Sequence, residues 1–381
     1  MLKVKLSAFY FAYFALLGVM APYLGLYLDS EGFQASEIGL LTGILMLTKV
    51  LAPNVWGAVA DKTQRRLALI RFGAAATFIS YLGFFFADGF WQYAAMIMLF
   101  SFFWNAILPQ FEVITLSNLK SNVSHYSRIR VWGSIGFIVA VLVLGWFFER
   151  FGIGFFPVAL LCIITSIFLS TLFHFDEPKS ASSSCNDSPS LRSELLDGNA
   201  YLFFVVCMLL QFSHGAYYSY FSLYMEELGY DKVWIGVLWA IGVIAEVLLF
   251  FVMHRWHAKH SVKVIMAIAL ALSILRWCLI AGVGDAVAVL LVAQVLHAFS
   301  FGAMHAASIH FVHHHFSHAS QGRAQAMYSS LGFGLGGSLG ALCMALLVDD
   351  IGYANLFWVS AFVALCALAA LVPFQRKRTL S

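Results

Sequence analysis

Leu26 to Leu41 reads LYLDSEGFQASEIGLL, and Leu223 to Leu238 reads LYMEELGYDKVWIGVL. The two stretches align without a gap at an offset of 197, with Leu26, Tyr27, Gly32, Ile38, Gly39 and Leu41 matching Leu223, Tyr224, Gly229, Ile235, Gly236 and Leu238. Each joins the end of one apolar run to the start of the next through an acidic, glycine-bearing turn. Carried on, the same offset sets Lys49 against Glu246, and an offset of 196 sets Ser134-Ile135-Gly136-Phe137 against Ser330-Leu331-Gly332-Phe333. Two parallel six-helix repeats are the pattern of a rocker-type membrane transporter, with a site expected near the bilayer midplane between the halves.

Composition agrees with a chain whose solvent is largely lipid. Of 381 residues, 61% are hydrophobic and 11% charged, against about 45–50% and about 25% in soluble globular proteins. At about 20 apolar residues per crossing, the length admits roughly twelve crossings and no large soluble catalytic domain. Apolar runs cut at charge clusters fall near 6–28, 36–60, 67–87, 91–118, 126–148, 153–175, 199–225, 232–253, 262–283, 286–312, 322–348 and 352–374. The expected fold is an all-α membrane protein of twelve transmembrane helices in two six-helix pseudo-symmetric halves. Its halves span 1–175 and 199–374, with a Ser-rich cytoplasmic linker at 176–198 and a tail at 375–381.

Charge placement sets orientation. Of 22 Lys and Arg residues, Lys49 and Arg276 lie inside spans, Arg150 and Lys232 fall outside the cell, and the rest are cytoplasmic when the N-terminus is inside. Both termini are then cytoplasmic, and the location is the inner membrane of a bacterium, multi-pass. A net charge of +3 gives no reason to expect a nucleic-acid partner. No phosphate-binding loop is present, which disfavours an ATP-driven pump. Cys162, Cys207, Cys278, Cys343 and Cys366 lie in spans and Cys185 in the linker, so no disulfide framework is visible. No cofactor is expected, no metal site, and no enzyme activity; the state is expected to be monomeric.

Charges inside spans survive only with a partner or beside a wet cavity. Lys49 and Glu246 lie near the middles of matching spans. Contact between them would lock one access state, and separation would leave Lys49 for a substrate carboxylate and Glu246 for a proton. Glu112 and Arg130 lie at similar depth, roughly 9 Å from the inner face, as a pair across a helical hairpin, with Arg128 a second choice. Arg276 can clamp a carboxylate bidentately or snorkel outward. His214, His297 and His305 can relay protons or simply pack; Gln211 and Gln294 can orient the rings. Tyr217 and Tyr218 can line a cavity and stack on an aromatic ring. The run His313-His314-His315 with His318 lacks fixed ligand geometry and reads as an interfacial polar cluster.

Gly57-Ala-Val-Ala-Asp61-Lys62-Thr-Gln-Arg65-Arg66 resembles the gating signature of the major facilitator superfamily, with Gln64 where a glycine usually stands. Tyr126-Ser-Arg128-Ile-Arg130-Val-Trp132-Gly133-Ser134, Gln211-Phe-Ser-His214-Gly-Ala-Tyr217-Tyr218, the stretch around Glu246, Arg276-Trp277 and Gln294-Val-Leu-His297 with His305 are similar to runs in the bacterial 3-phenylpropionate permeases. Those permeases are relatives of the lactose and nucleoside proton symporters. The resemblance implies proton-coupled import of an aromatic carboxylate, with a nucleoside or oligosaccharide proton symporter as the alternative and a non-transporting sensor further behind. It implies a substrate role for Glu112 and Arg130, and raises His214 and His305 as proton carriers. The partners are then a small organic anion, protons and the bilayer. Substrate binding is expected at Lys49, Arg276, Tyr217, Tyr218 and Arg130, and proton coupling at Glu246, Glu112, His214, His297 and His305.

Overall fold

The computed structural model describes residues 2–119, 123–176, 194–195, 197–317 and 320–374. Most of the expected linker and all of the expected tail lie outside the described residues, as do Cys185 and His318. Every regular element among the described residues is helical: α1 Leu2–Ser30, α2 Ala35–Thr63, α3 Arg66–Leu82, α4 Phe90–Asn118, α5 Val123–Phe151, α6 Phe156–Thr171, α7 Gly198–Ser213, α8 Gly215–Glu227, α9 Lys232–Lys259, α10 Val262–Val283, α11 Val287–His297, α12 Met304–His315, α13 Gln321–Tyr328 and α14 Gly337–Leu371. Short π-helical turns, Ala298–Ala303 and Ser329–Gly336, connect α11 to α12 and α13 to α14.

Among the described residues, 11 continuous helical stretches are long and apolar enough to cross a membrane. The sequence separates 322–348 from 352–374, whereas the chain continues as one 51-residue stretch, Gln321–Leu371. Within it Gly352 is non-helical, at φ 74° and ψ 168°. The expected single helix at 199–225 is divided at His214, whose backbone turns at φ −78° and ψ −6° between α7 and α8. The expected helix at 286–312 carries a π turn in its middle. Hydropathy cannot register a helix irregularity that leaves apolar side chains in place.

These helices are turned inside out relative to a water-soluble bundle. Phe86, Trp91, Leu346 and Phe251 are largely exposed, while Arg276, Gln294 and His214 are fully buried. Lipid accepts the former, and only protein can satisfy the latter. Buried hydroxyls are discharged locally, as when Thr42 donates to Ile38 O at 3.0 Å and Thr77 to Gly73 O at 2.7 Å. Without a hydrophobic driving force between helices, close backbone approach becomes the adhesive. A Cβ at Gly18 would lie 2.6 Å from Phe137 O, and one at Gly136 would overlap Phe11 O, so α1 and α5 cross nearly in contact. A Cβ at Gly340 would likewise overlap Phe212 O, and one at Gly215 would strike the Gly340 backbone. The turns of the opening repeat are also alike: Gly32 has φ 88° and Gly229 φ 85°, a region closed to most side chains.

Contacts divide the chain into two compact units. One comprises Met1–Ser182 with Met225–Ala240, the other Ser183–Tyr224 with Ile241–Ser381. In the first, the N-terminal end of α9 is held by Glu149, which accepts from Lys232 N at 3.0 Å, and by Tyr23, which donates to Lys232 O at 3.3 Å.

Candidate substrate site

In the second unit, one cation organises a buried polar cluster. Arg276 projects from α10 and is 0% exposed, which removes the outward-snorkelling alternative. Its Nε donates to Ala293 O at 3.1 Å, Nη1 to Ser300 Oγ at 3.3 Å and Nη2 to Gln294 Oε1 at 3.5 Å. Its guanidinium carbon stands 4.2 Å from the Tyr217 ring centroid and 4.4 Å from that of Trp277. No carboxylate among the described residues comes within 4.0 Å of it. Ring faces and neutral acceptors ease the desolvation of a cation without cancelling its charge. The cluster therefore keeps one uncompensated positive charge.

Its other members come from α7, α8, α11 and the π turn. Tyr217 donates to Gln294 Oε1 at 2.9 Å, and Trp277 to Ser213 Oγ at 3.3 Å. His214 is held by Leu210 O at 2.9 Å from Nδ1. A carbonyl only accepts, so the hydrogen sits on Nδ1 and the neutral ring keeps Nε2 as a bare base. That Nε2, His297 Nδ1 and Gln294 Nε2 are buried without a hydrogen-bond partner. The rings of His214 and His297 are 6.5 Å apart, and His297 stacks on Tyr217 at 5.8 Å. Tyr218 stacks on His214 at 5.9 Å. Gly242 leaves room on α9, since a Cβ there would lie 3.2 Å from His297 Cδ2.

Of the other residues expected to couple protons, Glu246 lies on α9 and His305 on α12. Glu246 packs its Cγ against Gly302 in the π turn, where a Cβ would approach to 3.0 Å. His305 places Nδ1 3.1 Å from Tyr328 Oη and stacks near Phe301.

In the first unit, Arg130 Nε lies 3.9 Å from Glu112 Oε1, and Tyr126 donates to the same oxygen at 3.3 Å. The Arg130 guanidinium sits 4.0 Å over the Phe14 ring. Both charged side chains remain about one-third exposed; Arg128 is exposed on another face. Lys49 is half-buried, and its ammonium donates to Met46 Sδ at 3.3 Å. Beside it, Thr48 donates to Ser101 at 2.9 Å and accepts from Asn105 at 3.0 Å, which pins α2 to α4.

The turn between α2 and α3 settles the question posed by Gln64. Gln64 adopts φ 57° and ψ 19°, and it is the non-glycine residue with positive φ among the described residues. Its Nε2 donates to Asp61 O at 2.6 Å, so the tight turn is kept by a glutamine. The Asp61 Oδ1 accepts from Arg66 Nη2 at 2.6 Å. Arg66 also donates to Gln110 Oε1 on α4. Lys62 and Arg65 are exposed, and nothing lies within 4 Å of a Cβ built at Gly57.

Sequence reasoning found no sign of Ser300 or Tyr328, offered Tyr126 only as part of a motif run, and gave Gln294 only a ring-orienting role. Gln294 and His297 are one helical turn apart, which was readable; Ser300 depends on the π turn, which was not. In the second unit, His257, His310 and His314 stack at centroid separations of 4.5 and 3.9 Å. No group of three metal-ligating side chains converges among the described residues.

A family model described as the MFS_1 like family matches residues 3–371. The chain is 27% identical over 372 residues to the probable 3-phenylpropionic acid transporter of Escherichia coli (strain K12), covering 94% of each chain. It is 24% identical to the maltose permease of Geobacillus stearothermophilus, covering 99% of this chain and 96% of that one. The crystal structure of nucleoside transporter NupG superposes with a TM-score of 0.83 at 21% identity, over 99% of this chain and 100% of that one. A match spanning nearly every residue, together with an all-helical membrane architecture, establishes that the chain belongs to the MFS_1 like family and is a major facilitator transporter, not an enzyme.

Proposed function

We propose that the protein is a proton-coupled secondary transporter that imports a small organic anion, an aromatic carboxylate such as 3-phenylpropionate, into a bacterial cell. The observation that carries this reading is Arg276, a fully buried guanidinium with no carboxylate within 4.0 Å among the described residues. A substrate carboxylate supplies the missing charge, and Tyr217, Tyr218 and Trp277 supply ring faces for an aromatic body. Lys49 and Arg130 remain candidate anion contacts of the first unit.

Proton coupling follows from charge bookkeeping across the membrane. Moving one negative charge inward against an inside-negative potential costs about 2.3 kcal/mol per 100 mV, and a co-transported proton removes that cost. His214 Nε2, held as a bare base by the Leu210 bond, is the best placed acceptor. Glu246, Glu112, His297 and His305 complete the candidate set. The break at Gly352 supports reading the 51-residue stretch as two crossings, since at 1.5 Å per residue it is roughly 77 Å long against a hydrocarbon core of about 30 Å. The reading then has twelve crossings in two halves, both termini in the cytoplasm, and a monomeric inner-membrane protein.

A nucleoside or oligosaccharide symporter is the second reading, favoured by one observation. Glu112, Tyr126 and Arg130 form a partly exposed polar group suited to sugar hydroxyls. Uptake of labelled 3-phenylpropionate into proteoliposomes, with and without an inward proton gradient, separates the two. Gradient-driven accumulation supports the first reading; no uptake by folded protein, with competition shown by neutral sugars or nucleosides, replaces it with the second.

A further inference from the structure

The Arg276 cluster contains an amide whose orientation is fixed and whose donor end is unused. Gln294 is 0% exposed. Arg276 Nη2, which can only donate, lies 3.5 Å from one end of the amide, and the Tyr217 hydroxyl lies 2.9 Å from the same atom. That end is therefore the oxygen. The nitrogen end, Nε2, is buried and makes no hydrogen bond. A buried donor left unmade costs free energy that a bound acceptor would return. Arg276 itself has five N–H donors, of which at least three are engaged, by Ala293 O, Ser300 Oγ and Gln294 Oε1. The cluster thus combines one uncompensated charge, unspent guanidinium donors and an idle amide donor.

We propose that Gln294 is the residue that sets the charge selectivity of this site: its neutral amide holds Arg276 in place without cancelling its charge and donates Nε2–H to the substrate, so that the site takes a monoanionic carboxylate. This deepens the reading of the protein as a carboxylate transporter and rests on it. A glutamate at the same position would keep the side-chain shape and the acceptor for Tyr217 and Arg276. It would also bring its own negative charge to the guanidinium and replace the donor with a second acceptor. The altered site would repel a carboxylate and accept a neutral, hydrogen-bonding isostere.

The test measures binding of 3-phenylpropionate and of its neutral amide, 3-phenylpropionamide, to the full-length protein in nanodiscs. Wild type is expected to prefer the acid, and Gln294→Glu to lose about 30-fold or more of its acid affinity while gaining preference for the amide. A purely structural role would weaken both ligands together, so the ratio between them is the readout. Gln294→Met, which removes the donor without adding charge, is expected to bind the acid about 10-fold less tightly while still preferring it to the amide. If Gln294→Glu does not fold, the Met variant carries the test, and wild-type acid affinity in it overturns the proposal. An unchanged acid preference in folded Gln294→Glu overturns the role of Gln294 alone. A wild type that binds neither ligand overturns the carboxylate reading and this inference with it.

Discussion

Replacing Arg276 with methionine should separate function from stability. The substitution removes three hydrogen bonds, to Ala293 O, Ser300 Oγ and Gln294 Oε1, and two ring contacts, with Tyr217 and Trp277. Two of the three acceptors keep another partner. Gln294 Oε1 retains the Tyr217 hydroxyl, and Ser300 Oγ still donates to His297 O at 3.2 Å. Charge-assisted bonds of about 1.5–3 kcal/mol each and ring contacts of about 1–2 kcal/mol each are set against a desolvation penalty of several kcal/mol for a buried cation. Met fills much of the volume, so Arg276→Met should melt within about 5 °C of wild type. Ligand binding should respond differently, because losing one member of a buried charge pair costs about 2–5 kcal/mol, or about 30- to 5,000-fold in Kd. Thermal unfolding of purified protein beside titration with 3-phenylpropionate reads both quantities. Undiminished affinity in a folded Arg276→Met variant would refute the argument that the buried charge awaits an anion. A collapse in stability would instead assign the guanidinium to the architecture.

Two further outcomes concern the framework. Gly215→Ala places a methyl group on the Gly340 backbone, and Gly18→Ala one on Phe137 O; each should cost about 1–3 kcal/mol, and an unchanged melting temperature in both would remove the close-crossing argument. At Glu194, burial alone would raise the carboxyl, but the Ser317 backbone N–H, which donates to its Oε1 at 3.3 Å, the neighbouring Ser317 and Ser320 hydroxyls and the nearby His315 hold it below its ordinary value of 4.5. A depressed carboxyl stabilises above its unfolded value and loses that contribution as pH falls through its folded value. The hydrogen-exchange protection factor of residues 194, 195 and 197 should therefore stay constant from pH 8 to about 5.5 and fall only below the ordinary carboxylate value; loosening already between pH 7 and 6 would assign the attachment to a histidine instead.

What the sequence made legible follows from the kind of signal each feature leaves. Apolar length marks spans, and so the helical stretches were readable to within a few residues. A change of hydrogen-bond register inside a span leaves no such mark, which is why the turn at His214 and the π turns at Ala298–Ala303 and Ser329–Gly336 appear only in three dimensions. Charges were found because each is costly in lipid, and the depth argument that paired Glu112 with Arg130 agrees with the 3.9 Å separation. Depth could not decide between outward snorkelling and burial for Arg276. That choice depends on Ala293 O and Ser300 Oγ, and a helix carbonyl and a lone serine carry no sequence signal of their own. Gln64 shows the converse case: the motif pattern demanded a glycine, and the backbone took the glycine conformation without one.

The internal repeat extends to individual contacts within each unit, and that locates what is special about the second. Tyr10 donates to Thr115 Oγ1 at 3.2 Å, and Cys207, at the offset of 197 from Tyr10, lies 3.5 Å from Ser308, at 193 from Thr115. Arg71 caps the carbonyls of Thr171 and Phe173, and Lys263 those of Val372 and Phe374, at an offset of 192 between the cations. Mapped back by these offsets, Tyr217 falls on Met20, Arg276 on Phe84 and His297 on Trp104, all buried. A framework need duplicated with the fold would place polar groups in both copies. The apolar counterparts in the first unit show that the scaffold stands without Arg276 or His297 at these positions, so their retention in the second unit, against the cost of burying a cation, points to a ligand and not to the fold.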